Sequence, residues 1–455
     1  MKNLFKYAAS YWKAMIAILL ILVLQAYCDL SLPAYTSDIV NVGIQQGGIE
    51  DEVPRQIATE EMEKLLLFVS EDDQQTVMDA YTEDNTSYKK EAYVLKDSVA
   101  EDEHTLRKLK EILQIPMMMT SGIESGSDTT KQMEEKLKEQ MSQGMSQGMP
   151  QSVPLDDMSM FDLLKMLPAE QRATMVEKIE EQMSEMPDTI LDQASVSFCR
   201  SAYKDLGMDM DQTQIHYLLK TGGQMAALAL LGMAASIMVA FLASRVGASA
   251  GRDLRSGVFR KVVGFSNNEF NHFSTASLIT RSTNDIQQIQ MLIVMLLRMV
   301  LYAPILAIGG VLQVMKTNVS MSWIIGLAVA VIIVIVGFLF LVVMPKFKLI
   351  QNQVDKLNLV SREILTGLSV IRAFGTQKYE EERFDDANKA LTKTNLFVNR
   401  AMTFMMPLMM FVMNSIAVLI VWVGGHSIND GAMQVGDMMA FIQYTMQIIM
   451  AFLMI

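Results

Sequence analysis

Ile324 to Met344 reads IIGLAVAVIIVIVGFLFLVVM, 21 residues without a charge. A bilayer core takes about 20 apolar residues per helix, so this run is a membrane span. Five other runs behave alike. Met225 to Ala243 is uncharged, and Met402 to Val423 is broken only by Pro407 and Asn414. Met291 to Val314 carries one charge, Arg298, and Ala14 to Pro33 carries one, Asp29. The sixth, Met438 to Ile455, reaches the last residue of the sequence. Runs this long and this pure exclude the core helices of a soluble domain. The chain is therefore read as an all-α membrane protein with six transmembrane helices.

Charge sets an orientation. Lys2, Lys6 and Lys13 precede the first run, six Lys or Arg lie between the second and third, and ten lie between the fourth and fifth. The opposite short loops offer only Lys220 and Lys316. Cytoplasmic loops collect Lys and Arg, so the N-terminus is expected in the cytoplasm and residues 45–214 outside it. That insert holds 36 acidic and 16 basic side chains, which accounts for the overall net charge of −12. The acidity is confined to the insert, and nothing in the charge balance points to nucleic acid. The first run has a basic start, as signal peptides do. However, Gln25 to Asp29 makes a poor cleavage site and the apolar stretch continues to Pro33, so it is read as a retained span.

Cys28 and Cys199 are too far apart in topology to form a disulfide framework. His104, His216, His272 and His426 are scattered, and no metal site is read. The insert is expected to be mostly helical, with helices over Glu91 to Ile115 ending at Pro116, Ala169 to Met186 ending at Pro187, and Leu191 to Leu206 stopped by Gly207. Thr120 to Pro154 is low-complexity and is expected to be a loop. Its methionines could hold a soft metal, but no Cys or His cluster accompanies them. Asn85-Thr86-Ser87 matches a glycosylation acceptor, a short and weak signal.

Two segments between spans, Ser244 to Gln288 and Pro345 to Arg400, carry helical patterning throughout. Val354, Leu357, Val360, Ile364, Leu368 and Ile371 form one stripe. Helix pairs of this length would project about 30 Å past the membrane at 1.5 Å per residue. Here motifs carry a family resemblance. Gly367-Leu368-Ser369-Val370-Ile371-Arg372-Ala373-Phe374, with Tyr379-Glu380-Glu381-Glu382-Arg383-Phe384, resembles the fourth-helix signature of ABC exporter membrane domains. Phe273 to Asp285 resembles their first intracellular loop, with Ala276-Ser277 where most members have Gly-Glu. Leu32-Pro33 with Ile39 to Ile44, Arg252-Asp253-Leu254-Arg255, and Val435-Gly436-Asp437 resemble the first, second and sixth helices. The likeness covers residues 1–44 and 215–455 and is closest to bacterial multidrug-type half-transporters, many of them heterodimeric.

The resemblance implies an organisation. Residues 1–44 form the elbow and first helix, 45–214 an acidic extracytoplasmic domain, and 215–455 helices two to six with two cytoplasmic coupling loops. It implies a second half-transporter, identical or different, and nucleotide-binding domains docked on coupling helices near Ser266 to Phe273 and Thr376 to Phe384. The docking residues would be Asn267, Asn268, Glu269, Phe270, Phe273, Thr376, Gln377, Tyr379, Glu380 and Glu381. ATP and Mg are expected on a nucleotide-binding domain outside these residues. The chain lacks even a Gly-Lys pair, so it holds no phosphate-cradling loop and is expected to be part of a longer polypeptide. Lys220 to Gln224 superficially matches the ABC signature peptide but opens the second span on its outer side.

Ionisable and polar groups within spans are costly and mark candidate pathway positions. These are Arg298, expected to face the bundle interior or a cavity, with Asn414, Gln443, Gln447 and Met413. The methionines of the fifth and sixth runs suit a promiscuous apolar cavity. The expected activity is ATP-driven outward movement of amphipathic or hydrophobic, drug-like compounds across a bacterial plasma membrane. The rivals are a dedicated peptide or lipid exporter with the insert as a lid, and a membrane-anchored sensor or adhesion protein.

Overall fold

The computed structural model describes residues 11–84, 90–125, 159–166, 169–183, 186–266, 269, 273–317 and 320–454. Among them are six helical stretches long and apolar enough to cross a membrane: Trp12–Gln45, Met210–Val263, Thr275–Met315, Ser322–Thr366, Gln377–Asn429 and Val435–Met454. The protein is a multi-pass all-α membrane protein, as its apolar runs require. Contacts divide the chain into two units. One comprises Met1–Leu30, Leu231–Val423 and Phe441–Ile455; the other comprises Ser31–Leu230 and Gly424–Ala440.

The first unit is helical. Helix α1 (Trp12–Asp38) enters it, and helix α9 (Met210–Val263) contributes its later half. Ile18 and Leu22 meet Val239, Ala243, Val246 and Ala250, and Ile293 and Leu297 of the third span. These positions recur every three or four residues and so share one helix face. Lipid tails are as apolar as these side chains, so packing between spans rests on close approach rather than on exclusion of water. Gly247 permits that approach: a Cβ there would lie 2.6 Å from Val294 Cγ2 and 3.2 Å from the Gln290 carbonyl. The third span is built in pieces, α10 (Thr275–Thr280), α11 (Ile286–Met295) and α12 (Tyr302–Thr317). Two π-helical turns, Arg281–Asp285 and Leu296–Val300, interrupt it. The second precedes Pro304, whose missing N–H cannot bond the Val300 carbonyl.

The second unit holds the acidic insert. Its first elements are β1 (Gln56–Ala58), α2 (Thr59–Leu66), α3 (Glu71–Ala80), β2 (Tyr81–Asp84) and β3 (Ala92–Leu95). Helices α4 (Asp97–Ala100), α5 (Glu103–Glu124), α6 (Met160–Met166), α7 (Ala169–Met183) and α8 (Asp188–Asp205) follow. The strands form a small antiparallel sheet in the order β1-β3-β2, with Gln56 opposite Val94 and Tyr81 opposite Leu95. Ile57, Leu65, Val77, Leu109, Leu113, Met117, Phe198 and Cys199 are buried together beneath it.

Two helix expectations need correction. Glu91 to Leu95 is strand and turn, because Tyr93 and Val94 suit a pleated surface and β3 finds partners on both sides. Helix α5 then starts only at Glu103 and does not end at Pro116. Pro116 is buried on the same face as Leu109, Leu113, Met117 and Thr120, so core packing carries the helix through. Helix α8 starts at Asp188, directly after Pro187, rather than at Leu191, but stops as read: Gly207 takes a φ of +83°, and the Met208 and Gly207 N–H groups close onto the Tyr203 and Lys204 carbonyls. This is a Schellman stop, where a glycine escapes the Cβ penalty of left-handed backbone. Most of the low-complexity stretch and Asn85 to Ser87 lie outside the described residues.

Candidate functional site

The fourth span α13 (Ser322–Thr366) runs 22 residues past Met344, which is about 33 Å of helix. Gly367 separates it from a short helix α14 (Leu368–Phe374), and Gly375, at φ +66°, ends that helix in left-handed backbone. Thr376 follows, its N–H closing onto the Ile371 carbonyl at 3.1 Å. The long helix α15 (Gln377–Asn429) then begins. A short helix thus occupies Leu368 to Phe374, and the expected coupling segment, Thr376 to Phe384, is not a separate short helix. Gln377, Tyr379, Glu380 and Glu381 instead lie in the first turns of α15. On the short helix, Val370 and Phe374 are 58% and 79% exposed.

A charged clasp joins the two long helices beside the tip. Arg383 of α15 donates to Glu363 of α13 at 2.6 Å and contacts Glu380 at 3.3 Å. Next to it, Ile364, Leu368, Ile371 and Phe384 line an apolar groove of about 550 Å³. Tyr379, Glu381 and Glu382 are exposed.

The first loop is described only in part. Asn267, Asn268 and Phe270 lie outside the described residues. Glu269 accepts from both the backbone N–H and the hydroxyl of Ser266, each at 2.9 Å, while its own N–H points back to Ser266 Oγ at 3.3 Å. This reciprocal arrangement is a capping box, the signature of a helix start. Those bonds hold the Glu269 carboxyl below its ordinary range, the Ser266 N–H contributing most. Phe273 stacks on Phe265 with centroids 5.8 Å apart, and the Arg281 guanidinium sits 5.4 Å from the Phe273 ring.

Within the spans the pathway candidates separate. Gln447 is tied into a polar knot. Pro33 has no N–H, so the Asp29 carbonyl lacks its helical partner; Gln447 Nε2 supplies one at 3.1 Å. The Tyr302 hydroxyl donates to the Asp29 carboxylate. Gln447 Oε1 is buried without a partner among the described residues. Arg298 does not face the interior of its unit: it sits in the Leu296–Val300 π turn and is exposed. Asn414 is exposed, and Gln443 and Met413 are half-buried. These side chains are not gathered into one described cavity.

In the second unit the motif residues of the first and sixth helices meet. Asn41 Oδ1 accepts from the Gly436 N–H at 2.7 Å, its Nδ2 donates to Asp437 at 3.2 Å, and Ser37 donates to the same carboxylate at 2.7 Å. The insert has its own charge network. Lys110 bridges Asp192 at 2.6 Å and Glu52 at 2.8 Å. Burial, with Glu52 and Asp188 nearby, outweighs the Lys110 ammonium and pushes the Asp192 carboxyl up. Burial works against the charge on Lys110, yet its hydrogen bonds to Asp192 and Glu52 prevail and raise it too. Among the described residues no group of His, Cys, Asp and Glu is placed to hold a metal ion.

Comparison with known proteins agrees with this architecture. The family described as ABC transporter transmembrane region matches residues 184–452. An uncharacterized ABC transporter ATP-binding protein of Mycobacterium tuberculosis is 35% identical over 237 residues, 52% of this chain and 41% of that protein. The uncharacterized ABC transporter ATP-binding protein YfiB of Bacillus subtilis is 34% identical over 227 residues, 50% of this chain and 40% of its own length. An ATP-dependent lipid A-core flippase of Desulfotalea psychrophila is 26% identical over 208 residues, 45% of this chain and 36% of the flippase. The aligned part thus spans well under half the length of these relatives. With the family matched over more than half of its residues, the chain belongs to the ABC transporter transmembrane region family.

Proposed function

We propose that this chain is the membrane-spanning half of an ATP-driven exporter that moves amphipathic or hydrophobic compounds outward by alternating access. The observation that carries this reading is the exposed tip. Two helices of 45 and 53 residues run far past their apolar stretches and are joined through a seven-residue helix bearing exposed Val370 and Phe374. Apolar groups presented in water at the end of a rigid lever call for a docked partner. That partner is a nucleotide-binding domain, which carries ATP and Mg, closes when ATP binds, and swings the levers between two packed states. The levers face the cytoplasm of a bacterial cell, residues 45–214 lie outside it, and a second half-transporter completes the path. Whether that half is identical or different is set by the exposed span faces it must cover.

A dedicated lipid exporter is the second reading, favoured by the kinship to proteins named as lipid A-core flippases. The insert would then serve as a lid. The test is uptake of a hydrophobic dye by inverted membrane vesicles containing the full-length protein. ATP-dependent accumulation is expected. Its absence across dyes and lipid probes, with folded protein in the membrane, sinks the export reading.

A further inference from the structure

We propose that Arg298 is a recognition point for an acidic headgroup, so that the transported compound is an amphipathic anion. This rests on the export reading above. Arg298 follows seven uncharged residues from Met291 and precedes sixteen up to Val314. At 1.5 Å per residue it lies about 10 Å inside one end of the run and about 24 Å from the other. A guanidinium at that depth cannot face hydrocarbon without heavy cost; it requires water or an acceptor. Yet it is exposed, and no acceptor among the described residues lies within hydrogen-bond or ion-pair distance.

The acceptor does not come from the spans of a second copy. Within the six apolar runs the one carboxylate is Asp29, and Asp437 at the start of the sixth span already accepts from Ser37 and Asn41. Asp29 is half-buried and already accepts from Tyr302. An identical partner therefore brings another unpaired Arg298 and no free acid. Two such cations and no anion leave a path that is electropositive along its apolar length.

The surroundings describe the rest of the ligand. Met291 and Met295, seven and three residues before Arg298, are 61% and 53% exposed, and Met299 beside it is 36% exposed. Thioethers adapt to apolar bodies of varied shape, and the planar guanidinium pairs with carboxylate, phosphate or sulfonate through parallel N–H donors. The π turn adds one residue to the helix around Arg298, a local insertion that recurs at functional sites.

The test uses the full-length protein in nanodiscs of zwitterionic lipid at pH 8. The probes are a dansyl-labelled fatty acid and its methyl ester. The acid is expected to bind at least tenfold more tightly than the ester. Arg298→Gln is expected to bring that ratio near one with ester affinity unchanged, and Arg298→Lys to keep most of it. Should the Gln variant fold poorly, loss of the ratio with rising salt in the parent protein provides the same readout. Equal binding of acid and ester by the parent, or an undiminished ratio in a folded Arg298→Gln variant, overturns the proposal; the latter means that Arg298 only reaches for lipid headgroups. Titrating in anionic phospholipid identifies the source. Displacement of the probe makes a lipid the ligand, and no displacement makes it a soluble amphipathic acid; both uphold anion recognition. ATP-driven dye export that persists while the ratio is one removes the anion proposal and leaves the export reading standing.

Discussion

The Asn41 amide oxygen caps the Gly436 N–H at 2.7 Å, binding the end of the first helix to the start of the sixth across nearly four hundred residues of chain. The first turn of a helix leaves N–H groups without partners, and this one is buried, so its cap cannot be replaced by water. Asn41→Ala is expected to cost about 1–3 kcal/mol, the penalty of an orphaned buried donor. Gly436→Ala should be at least as harmful. A Cβ there would stand 2.5 Å from Asn41 Oδ1 and 2.6 Å from the Ser37 carbonyl, and the latter is backbone that cannot rotate away. Thermal unfolding of the purified protein in detergent measures both. A native melting temperature in Gly436→Ala would show that the clasp is not formed.

Pro33 and Gln447 should be energetically coupled. Gln447 donates to the very carbonyl, that of Asp29, which the proline leaves without a helical donor. Gln447→Leu alone is expected to destabilise by about 1 kcal/mol. In a Pro33→Ala background the helix supplies its own N–H, and the loss should shrink by more than half. The double-mutant cycle is the measurement. Additive effects would mean that the carbonyl finds another partner.

Glycines along the spans are not equivalent. Gly247→Ala forces a Cβ to 2.6 Å from Val294 Cγ2, and Val294 is β-branched with little rotamer freedom. A loss of about 1–3 kcal/mol is expected from overpacking. Gly337→Ala meets nothing within 4 Å and should be neutral or stabilising by up to about 1 kcal/mol, since alanine is the better helix former. Melting temperatures in one detergent compare the two.

The spans were legible because hydrocarbon imposes a length and a composition that nothing else in a protein imitates. Gly207 was legible for a similar reason: a helix end selects a residue type. Pro116 misled because a local helix breaker competes with a buried face that no short window reveals. The short helix at Leu368 to Phe374 lies within the quoted motif, and Gly367 and Gly375 bracket it. Asn41 and Gly436 were each visible as motif residues. Their pairing was not, since hydrogen bonds between distant segments leave no periodicity. Arg298 was legible as a cost, while the side it faces depends on how the third span packs.

The insert should respond to pH through Glu61. Burial pushes this carboxyl up, aided by the charge of Glu124 and opposed by Lys64, which contacts Glu61 at 2.5 Å and Glu124 at 2.8 Å. A folded value above the ordinary 4.5 means that the folded state holds the proton more tightly than the unfolded one. The stabilisation is complete below the unfolded value and is lost as pH rises through the folded value. Glu61→Gln imitates the neutral acid. It should therefore be near-neutral at pH 4 and stabilising at pH 7, read as hydrogen-exchange protection of α5 in variant and parent at each pH. A variant less protected at pH 7 than at pH 4, relative to the parent, would mean that the Lys64 ion pair outweighs the burial cost.

At the tip, position decides which substitutions matter. Arg383 already engages Glu363 and Glu380, so the acidic run is partly occupied within the chain. Glu381 and Glu382 are exposed on the first turns of α15, and Glu381 lines the groove shared with Leu368 and Ile371 of the short helix. Val370 and Phe374 present their apolar surfaces on that helix. If a nucleotide-binding domain docks there, Phe374→Asp should abolish substrate-stimulated ATP hydrolysis and transport in the full-length protein, with the melting temperature unchanged because the ring makes little contact with its own chain. Charge reversal at Glu381 and Glu382 should weaken coupling by only a few fold. Basal hydrolysis should survive in both, since the catalytic groups lie on the docked domain. The opposite ranking, with Phe374→Asp active and the Glu381 and Glu382 reversals dead, would move the docking face from the short helix to the start of α15.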